Sequence, residues 1–118
     1  MTPVEFVDAV VESCRDGAVS ACVEILERPP GRRPATRLVE LSEWFKALPV
    51  RDREFVIAAM RQASGATLFG VLCVIDGVRV IEPSGEKSEF HLTAIRNGVE
   101  SQISPSETFL HDLIRADL

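Results

Sequence analysis

Residues 66–77 have the sequence ATLFGVLCVIDG, and the structure assigned to this stretch decides the fold class. A strand over 71–75 would enter a tight hairpin at Asp76-Gly77, because that dipeptide favours two-residue turns. A helix would instead continue a stripe of mostly small residues that recur three and four apart. The stripe consists of Val56, Ala59, Ala63, Ala66, Gly70 and Cys73. Its regular spacing favours a buried helix that ends at Asp76-Gly77, with Gly65 as a break or kink.

The N-terminal region, residues 2–28, is predicted to form one long helix. Thr2, Pro3 and Glu5 form a capping-box pattern at its start. Its apolar or small residues recur in steps of four and three, which is typical of one buried helical face. These residues are Val7, Val11, Cys14, Ala18, Ala21 and Ile25. Asp16-Gly17 interrupts the stripe without changing its phase, which leaves two shorter helices as an alternative and favours one helix that is bent.

Two more helices are predicted before the decisive stretch. A loop over 29–36 precedes a helix from about Arg37 to Leu48, which Pro49 ends. The inner face of this helix is expected to comprise Leu38, Leu41, Phe45 and Leu48. The next helix begins near Arg51 and runs into the decisive stretch.

The pattern changes after Gly77, where short alternating segments predict strands. They cover residues 78–82, 89–95 and 99–103, and Asn97-Gly98 between the last two is a strong hairpin signal. Ser104 then begins a second capping-box pattern, SPSE, which predicts a short terminal helix. Helices, a small antiparallel sheet and a final helix together define an α+β fold.

The chain has 118 residues, of which 46% are apolar and 26% charged, so it is long and apolar enough to bury the core of one domain over 1–118. The apolar face of each element predicts which side chains form that core. They are Phe6 or Val7, Val11, Ile25, Leu41, Phe45, Phe55, Leu72 and Leu110.

Composition predicts a cytoplasmic protein that binds neither membranes nor nucleic acids. The longest apolar run, 66–75, is about half the length that spans a bilayer, and the first residues lack a signal-peptide pattern. Three cysteines without C-x-x-C spacing predict free thiols in a reducing compartment. A net charge of −5 disfavours binding to the phosphate backbones of nucleic acids. The loop 28–37 has four arginines but lacks the interleaved aromatic residues on which bases stack. Arginine outnumbers lysine 11 to 2, which indicates GC-rich, bacterial coding.

Catalytic residues are not recognisable in the sequence. Nucleophilic catalysis needs a nucleophile, a base and a group that orients the base. The histidines are His91 and His111. Neighbouring helical residues point about 100° apart, so Asp112 cannot orient His111. Cys73 lies in an apolar run, where a thiol is inert. We therefore expect a protein that is not an enzyme.

Metal and cofactor sites are not predicted either. One loop is flanked by three glutamates, Glu82, Glu86 and Glu89, whose carboxylates are ligands that a hard cation prefers. No EF-hand pattern accompanies them. The histidines and cysteines lack zinc-site spacing. The two glycines in 65–70 are not followed by the lysine of a phosphate loop.

Charge distribution points instead to a protein partner. Residues 76–118 hold eight acids and four bases, which accounts for −4 of the total −5. Glu82, Glu86 and Glu89 are therefore predicted to contact a basic partner and to speed its association. Trp44, the only tryptophan, is expected to pack in the core by default, and becomes a good interface anchor if it is partly exposed.

Two stretches resemble a group of small bacterial proteins, some of which are encoded near polymorphic toxins and are similar to immunity proteins. The stretches are LFGVLCVIDGVR at 68–79 and LHDL at 110–113. The resemblance implies an α+β fold and neutralisation of a toxin by direct binding. It assigns no functional residue at these positions, and the arginine loop has no counterpart in it.

The sequence as a whole favours a protein-binding module, with an immunity protein that occupies the active site of a basic toxin as its specific form. A small-molecule-binding protein without catalysis and a structural homodimer are the alternatives. An enzyme that uses Asp76, Glu82 or His111 ranks below them.

Overall fold

The chain has the α+β fold that the sequence predicts, with helices first and a small antiparallel sheet after them. The computed structural model describes residues 1–114. In chain order its elements are helix α1 (Pro3–Val10), a π-helical segment (Val11–Asp16), helix α2 (Gly17–Glu27), helix α3 (Thr36–Ala47), helix α4 (Val50–Ile75), strand β1 (Leu92–Arg96), strand β2 (Val99–Ser104) and a 3-10 helix (Leu110–Leu113).

The decisive stretch belongs to α4, which confirms the predicted helix. The predicted burial of its stripe is wrong in part, because Ala59, Ala63 and Ala66 are exposed and only Gly70 and Cys73 are buried. Its 26 residues continue through Gly65, which is buried and does not break the helix. The helix ends at Asp76-Gly77, as predicted. Gly77 has a φ of +78°, and the N–H groups of Gly77 and Val78 donate to the carbonyls of Val74 and Cys73. This Schellman pattern satisfies the last carbonyls of the helix.

The start of α1 has the predicted capping box. The Glu5 N–H donates to Thr2 Oγ1 at 3.1 Å, and the Thr2 N–H donates to Glu5 Oε2 at 3.0 Å. Both N–H groups would otherwise lack partners at the helix start, so the box fixes where the helix begins.

The N-terminal helical region is continuous, as predicted, but its buried face differs from the prediction after Val11. A π-helical turn holds about one more residue than an α-helical turn, so every later position moves to a neighbouring face. The buried residues beyond that point are consequently Arg15, Val19 and Leu26. Ile25, predicted to be core, is 40% exposed.

Helix α3 also presents a face different from the predicted one. Phe45 is buried as expected, but Ser42 is buried beside it while Leu41 is 46% exposed. The Ser42 hydroxyl donates to the carbonyl of Leu26 near the end of α2. This bond turns α3 so that Ser42, rather than Leu41, faces α2.

The main core joins α1, α4, β2 and the 3-10 helix. Its buried members are Val7, Leu72, Ile103 and Leu110. The predictions for Val7, Leu72 and Leu110 are thereby confirmed, and Val11 and Phe6 are partly buried against the same cluster. The prediction for Phe55 is wrong, because this side chain is 63% exposed on α4.

The sheet contains the predicted hairpin. Asn97 and Gly98 have φ values of 52° and 76°, the two positive angles that a type I′ turn requires. Strand β1 begins at Leu92, later than predicted, and pairs antiparallel with β2. The predicted strand at 78–82 is wrong, since those residues leave the α4 cap irregularly and pair with neither described strand.

The prediction that Ser104 caps a helix is wrong. Ser104 is the last residue of β2, where it lies opposite Leu92 and is buried. The terminal helix is a short 3-10 turn whose first N–H groups are satisfied by Asp76 instead.

All three cysteines lie within the described residues and are free thiols: Cys14 and Cys22 are exposed, and Cys73 is buried.

Candidate functional site

Asp76 and His111 form the most enclosed polar cluster in the described part of the chain. Asp76 is the residue at which α4 ends, and 2% of its side chain is exposed. Its Oδ1 accepts the N–H of Leu110 at 2.9 Å, and its Oδ2 accepts the N–H of His111 at 2.9 Å. The carboxylate therefore caps the start of the 3-10 helix, where an anion is favoured.

The imidazole of His111 contacts the same carboxylate. Its Nδ1 lies 2.6 Å from Asp76 Oδ2, so an ionised Asp76 places a proton on Nδ1. The other nitrogen, Nε2, lies 3.4 Å from Asp112 Oδ1. Phe109 stacks on the ring with centroids 5.3 Å apart, and Phe69 meets it edge-on at 5.6 Å. The ring is thus held by hydrogen bonds at its edge and by aromatic side chains around it.

This geometry corresponds to the base and the orienting group of a catalytic triad. The third component of that chemistry is a nucleophile within hydrogen-bond reach of Nε2. Among residues 1–114, no hydroxyl or thiol hydrogen-bonds to the ring of His111. What the cluster does is to tie the end of α4 to the 3-10 helix, 35 residues later in the chain.

The pair is not evident from the sequence, although Asp76 and His111 are each candidate residues there. Local spacing relates His111 only to its neighbour Asp112, whereas the orienting carboxylate comes from Asp76. One sequence signal was available: an acid at a helix C-terminus is electrostatically unfavourable and calls for a compensating partner.

The three glutamates predicted to bind a partner do not act alike. Glu82 is engaged within its own loop, where its two carboxylate oxygens accept the N–H of Ser88 at 2.6 Å and the Ser88 hydroxyl at 2.8 Å. The backbone bond first, and the hydroxyl second, hold the pKa of Glu82 below its ordinary value. Lys87 Nζ donates to the carbonyl of Glu82 at 2.8 Å. Glu82 therefore orders this loop.

Glu86 and Glu89, in contrast, present their carboxylates to solvent. Both residues are exposed, and Glu89 Oε1 lies 3.3 Å from His91 Nε2. Glu89 also lines a shallow cavity of about 200 Å³ beside Asp76 and Ser104. Within the described residues, no group of three or more histidine, cysteine or acidic side chains is placed to hold a metal ion.

Trp44 lies on a separate surface from the glutamates. It is 51% exposed on α3, so it does not pack in the core as expected by default. With Arg37, Glu40 and Leu41 it lines a concave surface, and the open cavity above this surface has a volume of about 210 Å³. The structure therefore does not bring Trp44 and the glutamates into one cavity. Trp44 is partly exposed, which is the state that favours its use as an interface anchor.

Two further features bear on the alternatives. A cavity of about 320 Å³, bordered by the start of α1, Gln102 of β2 and residues 106–108, lies at the small end of the range for ligand pockets. The four arginines of the loop 28–37 are all exposed, which fits a solvated loop.

Helix α4 is long and apolar enough, by length and composition, to cross a membrane. Only 17% of its most apolar 18-residue window is buried inside the structure. Core helices of water-soluble proteins pass the same length and composition test, so this one helix does not by itself indicate a membrane span.

No protein-family model matches the chain, and no curated protein or solved structure is significantly similar to it.

Proposed function

We propose that the chain is a protein-binding module in which Trp44 anchors the bound partner. The observation that carries this proposal is the exposure of Trp44, which is 51% accessible in a concave surface beside Leu41. A large, rigid side chain in such a surface buries much apolar area on binding while losing little conformational entropy. Arg37 and Glu40 at its margin supply polar groups that surround the apolar centre.

The specific form that we propose is neutralisation of a basic protein, such as a toxin. Glu86 and Glu89 lie on an exposed loop in the acidic C-terminal part of the chain. Their charge attracts a basic partner over distances of about 8–10 Å at physiological salt. Steering of this kind raises the association rate more than the affinity, so the glutamates and Trp44 have separable roles.

Trp44→Ala tests the anchor. The immobilised full-length chain is used to capture proteins from its native host, and captured proteins are quantified by mass spectrometry. We expect the partner to bind Trp44→Ala about 30-fold more weakly, because interface anchors contribute about 2 kcal/mol or more. Val99→Ala is the control, since Val99 is an equally apolar side chain, 67% exposed on the hairpin. A partner that binds both variants equally would place the interface away from α3.

The double variant Glu86→Lys with Glu89→Lys tests the steering. We expect slower association with the captured partner at low salt, a nearly unchanged dissociation rate, and a difference that shrinks as salt is added. Stopped-flow or surface-based kinetics at several salt concentrations measure these rates. Glu12→Lys with Glu24→Lys, two exposed acids of the N-terminal helical region, is the matched control. Equal association rates for both double variants would contradict steering by the loop.

A further inference from the structure

One exposed face of α4 has the spacing of a coiled-coil seam. Its residues recur in steps of four, three, four and three, and all are exposed. They are Phe55, Ala59, Gln62, Ala66 and Phe69, which we call the α4 seam. The aromatic ends are 63% and 38% exposed. A different face of the helix, which includes Leu68 and Leu72, packs against the core. The chain thus covers one side of α4 and leaves most of a second regular face uncovered, with Phe69 at its end meeting the His111 ring edge-on.

The total surface of the chain is larger than that of a compact monomer of its mass. A 13.0 kDa monomer is expected to expose about 6,300 Å², whereas this chain exposes 8584 Å². Its radius of gyration, 18.2 Å, likewise exceeds the roughly 13–14 Å expected for a domain of this length. The excess is roughly 2,200 Å², and obligate dimers bury about 1,000–2,500 Å² from each subunit. The surplus of the whole chain is therefore of the size that a stable dimer interface covers, and the α4 seam is one of the faces that expose it.

We propose that the α4 seam is a homodimer interface, in which α4 packs against α4 of a second copy. Coiled-coil pairing needs apolar side chains at this spacing, and the alanines at 59 and 66 let two helix axes approach closely. Gln62 lies at the middle of the seam. Because an amide both donates and accepts hydrogen bonds, Gln62 can pair with the identical side chain of the second copy. A single polar residue in an otherwise apolar seam also fixes the register.

A lipid environment suits the same face less well. Arg61 and Gln62 lie near the middle of α4, where a charge and an unpaired amide are costly in hydrocarbon. The C-terminal end of α4 is also packed into the core through Leu72 and tied to the 3-10 helix through Asp76. A second copy satisfies Gln62 and covers the apolar residues without separating α4 from that core. This interface does not involve Trp44, so it holds or fails independently of the heterologous partner.

The test is the mass of the purified full-length chain in solution, measured by sedimentation velocity over a range of concentrations. We expect the unmodified chain to have twice the 13.0 kDa mass. Ala59→Glu with Ala66→Glu places charges in the seam, and we expect the dissociation constant to rise by roughly 100-fold or more. Glutamate is a good helix former, so the exposed helix is retained. Ala21→Glu, the same change at an exposed position of α2, is the control and is expected to leave the dimer intact.

A second measurement does not depend on the glutamate variants. In a chain with Cys14→Ser and Cys22→Ser, which removes the exposed thiols, Gln62→Cys is expected to form a covalent dimer on mild oxidation that reductant reverses. Ile95→Cys, at an exposed position on the hairpin, is expected to form no covalent dimer on the same oxidation. A monomeric unmodified chain, a dimer that survives both glutamates, or a chain that floats with phosphatidylcholine vesicles through α4 would each overturn the proposal, the last in favour of a membrane contact.

Discussion

Replacing Asp76 with alanine is expected to lower the free energy of unfolding by about 3–5 kcal/mol, because it removes the acceptor that three hydrogen-bond donors share. The side chain is 2% exposed and accepts the N–H groups of Leu110 and His111 together with the His111 ring. Without the carboxylate, these three donors have no acceptor in a region that water enters poorly, and each unsatisfied donor costs about 1–3 kcal/mol. Denaturant unfolding at neutral pH measures the change, with the slope of the transition checked for constancy.

Asp112→Ala is the matched control for that experiment. Asp112 is also an aspartate beside the His111 ring, at 3.4 Å, but 60% of its side chain is exposed. An exposed ion pair contributes about 0–1 kcal/mol, so the control should change stability little. Amide hydrogen exchange adds a local readout, because the Leu110 and His111 amides should lose protection when their acceptor is removed. A loss below about 1 kcal/mol for Asp76→Ala would mean that the cluster is not a structural link.

The helices could be predicted because their patterns are local. The spacing of three and four through residues 56–73 identified α4, and the capping box at Thr2 identified the start of α1. The hairpin followed from Asn97-Gly98, since few other dipeptides adopt two positive φ angles at low cost. In each case the residues that determine the structure lie within a few positions of one another.

The orientation of the N-terminal helix could not be predicted in the same way. The stripe that includes Ala18 and Ile25 is regular on an ideal helix, but the π-helical segment moves the buried face to Val19 and Leu26. Nothing in the sequence from Val11 to Asp16 distinguishes a π turn from an α turn. A periodic pattern gives the phase of a face only while the helix keeps one geometry.

Exposure of apolar residues was the other source of error. Phe55 and Leu41 lie on apolar faces, and the sequence shows that such faces need covering, but not which molecule covers them. In the structure both side chains remain exposed, as Trp44 does. Those wrong core predictions thus coincide with the surfaces on which the two proposals rest, Leu41 beside Trp44 and Phe55 in the α4 seam.

The cluster of Asp76 and His111 could not be predicted from nearby residues of the sequence, and the cause is different. The two residues are 35 positions apart, and they meet only because α4 and the 3-10 helix pack against the same core. Among sequence neighbours, only Asp112 offers a carboxylate to His111, and helical geometry excludes it. Long-range pairs of this kind become visible only when the tertiary arrangement is known.

Replacing Leu72 with alanine is expected to destabilise the protein by about 2–5 kcal/mol. Leu72 is 1% exposed and belongs to the cluster that joins α4 to Val7, Ile103 and Leu110. The substitution removes three carbons from the only buried cluster that includes residues of α1, α4, β2 and the 3-10 helix among the described residues. It loses their transfer free energy and leaves a cavity that the four elements cannot all close. Thermal and denaturant unfolding measure the loss.

Val71→Ala separates burial from helix effects. Val71 precedes Leu72 on the same turn of α4 and is 51% exposed, so its truncation removes little buried surface. Alanine is also the better helix former, which offsets part of any loss. We therefore expect the Val71 variant to stay within about 0.5 kcal/mol of the unmodified chain, the usual range for surface changes. If Leu72→Ala were equally mild, the C-terminal third of α4 would not be core. The hydrogen bonds of Asp76 would then join the 3-10 helix to a helix end that is not packed in the core.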